Sequence, residues 1–149
     1  MPLPPPRTSQ RRFTHDDGFT FIEILCVILV MGILTAIALP AFLNQRMKGE
    51  DTEATRTIGT ARTTLASQHV EDSTYDLTAS DLAEKEPSLA HARDLEVSGT
   101  VDTYTISERS DSGTRFTLTR GDDAVVVRTC SSPGHGLCRS LPDAAGNRW

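Results

Sequence analysis

The sequence predicts an α+β fold in which one long amino-terminal helix covers a small antiparallel β-sheet. Three observations predict it. Residues 19–43 hold 20 apolar residues among 25. An apolar stripe at intervals of three, four or seven continues through Met47, Ala54, Ile58, Ala61, Leu65 and His69. After residue 90 the pattern changes to short alternating runs separated by turn residues. The first two are the signature of one continuous helix, and the third is that of strands.

Residues 1–18 precede the helix. They are Pro-rich and polar, with Arg7, Arg11 and Arg12 against Asp16 and Asp17. They carry no apolar period and read as a disordered leader. The basic residues favour a cytoplasmic amino terminus. Removing them leaves −6 on residues 19–149 of a chain whose total is −5. That charge is no footprint for nucleic acid across the mature chain, and no specific nucleic-acid site is apparent.

Residues 19–42 as a helix measure about 36 Å, enough to cross a hydrocarbon core of about 30 Å. Pro40 near the far end removes a backbone donor and predicts a kink. The stripe beyond the membrane carries the helix to about Val70, with Lys48, Glu50, Asp51, Glu53, Arg56 and Arg62 assigned to its other faces. So the helix has a transmembrane half and an amphipathic half. Thr78-Ala79-Ser80-Asp81 resembles a capping box opening a short helix that Pro87 ends. Strands are expected at 94–98, 101–108, 114–120 and 123–130, with turns at Ser110–Gly113 and Gly121-Asp122. One sheet face needs cover, and the amphipathic half-helix supplies it. The tail after Cys138 suggests no element.

Cys130 and Cys138 enclose seven residues. In an exported domain such a pair reads first as a disulfide, worth about 2–3 kcal/mol. The rival is a metal site using His135 as a third ligand, but no fourth ligand is apparent. No metal or cofactor is expected. Cys26 reads as a small apolar helix residue. Arg120-Gly121-Asp122 spells an integrin-binding tripeptide and reads as a hairpin turn. No nucleophile–base pair or phosphate loop supports an enzyme.

The informative motif is Gly18-Phe19-Thr20-Phe21-Ile22-Glu23, directly followed by the apolar run. An acid in a membrane span is expensive at its centre, by about 2.5–3.5 kcal/mol. A signal peptide cut after Ala38 fits Ala36-Ile37-Ala38, but such a run would be shorter and lack Glu23. A plain anchor explains neither Glu23 nor Gly18. These residues, with Pro40, resemble the amino-terminal signature of type IV prepilins and pseudopilins. Asp16-Asp17 stand where that family often has Lys or Arg before the glycine.

The resemblance implies a pilin-like domain plan: leader 1–18, transmembrane and assembly helix 19–43, and an exported globular domain 44–149. A prepilin peptidase would cut Gly18–Phe19 and N-methylate Phe19. Phe19, Glu23 and Pro40 would serve assembly, with Glu23 pairing to the Phe19 amine of a neighbouring subunit. The partners implied are copies of the chain in a filament, the peptidase, and the pilus assembly machinery of the inner membrane. The product would be a membrane precursor, then an extracellular pilus used for adhesion, motility or DNA uptake. A pseudopilin of type II secretion is the alternative within the class.

Overall fold

The computed structural model describes residues 18–149. Residues 1–17, which hold nearly all of the expected leader with Asp16-Asp17 and its three arginines, lie outside the described residues. The chain divides into two compact units, one ending at Ile37 and the other running from Ala38 to Trp149.

Helix α1 spans Phe21–Asp72, against the expected 19–70, and contains Pro40. In the first unit its apolar side chains are bare, from Phe21 at 80% exposure to Ile37 at 73%. The helix is long and apolar enough to cross a membrane. It ends at Ser73, whose N–H donates to the His69 carbonyl at 2.9 Å from a left-handed φ of 55°.

The second unit is built on a meander of four antiparallel strands, in the order β1 (Glu96–Gly99), β2 (Tyr104–Arg109), β3 (Arg115–Arg120) and β4 (Val126–Cys130). Ile106 stands opposite Leu118, and Glu108 opposite Phe116. Tyr104, Ile106, Phe116 and Leu118 share the buried face. They form one core with Ala54, Ile58, Ala61 and Leu65 of α1. The expected helix-on-sheet arrangement is therefore the observed one within this unit. The outer face of the sheet is polar: Arg115 bonds Ser107 and Glu96, each at 3.1 Å, and also pairs with Asp94.

All four strands begin later than the sequence suggests, β2 and β4 by three residues each. Thr100 and Thr103 close a turn before β2, with backbone and hydroxyl bonds of 2.9 and 3.2 Å. Ala124, at φ 61°, belongs to the turn before β4.

The capping box at Thr78 is present: Thr78 N–H donates to Asp81 at 2.8 Å, and Asp81 N–H to the Thr78 hydroxyl at 3.3 Å. The Thr78 side-chain bond, then its backbone bond, hold the Asp81 carboxyl below its ordinary pKa. Helix α2 (Ala79–Lys85) gives way at Pro87 to a 3₁₀ turn, Pro87–His91. Gly99 is obligatory for a steric reason, since a Cβ there would lie 2.0 Å from the Tyr75 carbonyl oxygen.

Asp51 corrects the sequence reading. It is fully buried on the packed face of α1 rather than on a solvated one. Its position between Met47 and Ala54 fits the stripe, and its carboxylate is satisfied by groups from distant segments, described below. The tail has no regular element yet is fixed. Arg148 N–H donates to Arg128 O at 2.8 Å, and Trp149 Nε1 to Thr129 O at 2.9 Å. The Trp149 ring meets Phe116 edge-on at 5.7 Å.

Candidate functional site

The motif residues lie at the start of α1. Phe19 is 79% exposed, and Thr20 stands immediately before the first helical residue. Glu23 N–H donates to the Thr20 hydroxyl at 3.3 Å. In return Thr20 N–H and its hydroxyl donate to Glu23 Oε2 at 3.3 and 3.4 Å. This is a reciprocal capping box, which satisfies donors that a helix start otherwise leaves open. The acid also lies at the positive end of the helix dipole. Thr20-Phe21-Ile22-Glu23 spells this capping pattern in the sequence itself.

Glu23 is exposed, so its carboxylate remains open to a further partner despite the box. Among the described residues, Gly18 has no heavy atom within 4 Å of where a Cβ would stand. Pro40 lies further along the same helix, in the second unit. Cys26 is an exposed free thiol on it.

A second constellation lies in the larger unit. Cys130 and Cys138 are joined by a disulfide, with Cα atoms 5.8 Å apart. The loop they close is tied to α1. Asp51 Oδ2 accepts from Leu137 N–H at 2.9 Å, and Asp51 Oδ1 from the Ser112 hydroxyl at 2.5 Å. Gly136 N–H reaches Asn44 Oδ1 at 3.3 Å. Gly136 has φ +56°, and a Cβ there would lie 1.9 Å from Asp51 Oδ2, so glycine is required twice over. His135 is exposed in this loop.

Arg120-Gly121-Asp122 lies at the β3–β4 turn, closed by Gly121 N–H to Val125 O at 3.1 Å. Arg120 bonds the Asp102 carbonyl and lies 5.2 Å from the centre of the Tyr75 ring. His69 stacks on Tyr75 at 3.9 Å. Among the described residues, no group of three or more His, Cys, Asp or Glu is placed to hold a metal.

Residues 14–39 match the prokaryotic N-terminal methylation motif. A motif-bearing helix start, a bare apolar stretch and a helix-covered antiparallel sheet together define the pilin-like α+β class. The type IV major alpha-pilin of Moraxella bovis is 35% identical over 71 residues, covering 48% of this chain and 45% of that protein. The type IV major pilin protein PilE1 of Neisseria gonorrhoeae is 44% identical over 41 residues, 28% of this chain and 25% of its own. A fimbrial protein of Neisseria meningitidis serogroup B matches at the same identity and length, covering 28% of this chain and 24% of that protein. The matched stretches span under half of these relatives' own length. No solved structure matches the chain. The chain thus carries the N-terminal methylation motif and is similar to type IV pilins over its amino-terminal part.

Proposed function

We propose that this chain is a structural subunit of a type IV pilus, held in the membrane as a precursor and polymerised through α1. Residues 1–18 are the leader, 19–43 the membrane and assembly segment, and 44–149 the exported domain. A prepilin peptidase cuts Gly18–Phe19 and methylates the new amine. The amine is largely charged at neutral pH, since α-amines titrate near 7.7–8, and methylation keeps the charge.

In the filament core the Glu23 carboxylate then has a cation, the Phe19 ammonium of a neighbouring copy. The observation that carries this reading is the exposed Gly18–Glu23 motif opening a helix whose apolar side chains are bare. Thr20 supports it by fixing the Glu23 rotamer before any partner arrives. The leader blocks the pairing and adds bulk, so cleavage licenses assembly. The disulfide-closed loop and the pilin names of the relatives support a pilus over a secretion pseudopilus.

Terminal sequencing and mass analysis of the mature protein test the proposal. N-methyl-Phe19 is expected. A terminus at Leu39 would falsify it in favour of a secreted domain, and an intact Met1 would favour a plain anchor.

A further inference from the structure

The two edges of the larger unit carry opposite charge. At the β4 edge a groove runs between α1, the disulfide loop and the tail, lined by Thr52, Arg56, Arg128, Leu137, Arg139 and Trp149. Arg56 and Arg139 are exposed, and Arg128 lies 5.7 Å from the centre of the Trp149 ring. Among the described residues, no carboxylate stands within ion-pair range of these three guanidinium groups. Asp143 is taken up by the Asn147 and Ala145 N–H groups, at 2.8 and 2.9 Å. Guanidinium forks match carboxylates in geometry as well as charge.

The β1 edge is the reverse. Residues 71–86 hold Glu71, Asp72, Asp76, Asp81, Glu84 and Glu86, six acids against Lys85 alone, for a net −5. Tyr75 N–H donates to Thr100 O at 2.8 Å, just past β1, and α2 packs on β1, so the segment lies along this edge. Glu71, Asp72, Asp76 and Glu84 are exposed. The donors that reach the segment's acids are neutral, such as Gln68 to Glu71 at 3.1 Å and Thr78 to Asp81 at 2.7 Å. Among the described residues, no cation stands within ion-pair range of any of the six.

We propose that the groove takes up the 71–86 segment of a second copy of this chain, with Arg56, Arg128 and Arg139 pairing with its exposed carboxylates. Two observations single out a copy over another anion. Residues 19–149 carry −6, so copies repel unless a basic patch of one meets an acidic patch of the next. The two patches also lie at opposite ends of the strand order β1-β2-β3-β4. A contact between unlike patches leaves one of each kind unused, so it passes from copy to copy instead of closing at two. Exposed ion pairs are individually weak. The pairing therefore rests on the proposed assembly through α1, which supplies the local concentration that such pairs need. The charges then decide which edge faces which.

Crosslinking between distinguishable copies tests this. Full-length Thr52→Cys and Ser80→Cys chains, altered at exposed and uncharged positions, are co-expressed with Cys26→Ala in each. Whole cells are then treated with a short, membrane-permeant bis-maleimide. A link between position 52 of one copy and position 80 of another is expected, about tenfold above 52–52 or 80–80 links. Arg56→Glu with Arg139→Glu should cut the 52–80 yield about tenfold, and Asp76→Lys with Glu84→Lys added to the same chains should restore it. No 52–80 link, or a loss that the reversed acids do not restore, overturns the proposal whether or not filaments form. A charge-dependent link without filaments supports the docking and counts against the assembly reading alone. Binding of labelled heparin that Arg56→Glu with Arg139→Glu removes while the 52–80 link persists overturns the proposal in favour of an anionic polysaccharide.

Discussion

Replacing Asp51 by Ala removes the tie between the disulfide loop and α1. The carboxylate accepts from Leu137 N–H at 2.9 Å and from Ser112 Oγ at 2.5 Å, in full burial. Hydrogen bonds to a charged group contribute about 1.5–3 kcal/mol each, and both donors would be left without a partner. Relief of the carboxylate's own desolvation offsets part of this. A net loss of about 3 kcal/mol is expected, equivalent to a fall in Tm of roughly 10 °C for a unit of this size. Asp51→Asn keeps an oxygen for Leu137 N–H and should lose only about 1 kcal/mol. Thermal unfolding of the full chain in detergent, followed by circular dichroism, measures both. An Asp51→Ala variant within about 0.5 kcal/mol of the parent would refute the assignment of the loop's anchorage to this carboxylate.

Glu108 ionises near 4.5 when solvated and near 7 in the fold, because burial disfavours its charge. Between those values the unfolded chain has released a proton that the folded chain keeps. Stability should therefore fall as pH rises from about 4.5 to 7, by up to about 3 kcal/mol. Glu108→Gln should flatten that slope in urea titrations at pH 5 and pH 8; an unchanged slope would show that another group sets it. Cys130→Ser should lower stability by about 2–3 kcal/mol on the chain-entropy account of an eight-residue separation, read as a shift in urea midpoint that reduction of the parent reproduces. Glu23→Ala should leave membrane insertion intact and abolish sheared filaments seen by electron microscopy; filaments in normal number would remove the ion-pair argument.

The helix, the Thr78 cap and the strand segments were legible because each rests on local signals. Apolar period, a capping tetrad and turn residues act within a few positions of one another. What was not legible depends on distant partners. Asp51 falls on the stripe by spacing, but its polarity assigns it to solvent unless Ser112 and Leu137, 61 and 86 residues away, are known to meet it. Glu108 shares parity with Tyr104 and Ile106, yet only the packing of α1 over β2 buries it. The tail is held by backbone donors and one indole, which leave no pattern in side-chain type. At the amino-terminal motif the structure adds the local partner of Glu23, the Thr20 cap.

The bond from Leu137 to Asp51 sets an order on biogenesis. Ribosomes make Asp51 86 residues before Leu137, whose N–H covers its buried carboxylate. Until residues 130–138 have been made and the Cys130–Cys138 bond has closed, the helix presents a charged flaw in its packing face. A chain truncated short of Leu137 keeps that flaw permanently. Such products should be sensitive to proteases along the 47–58 stretch, so the Cys130–Cys138 loop acts as a seal on the helix.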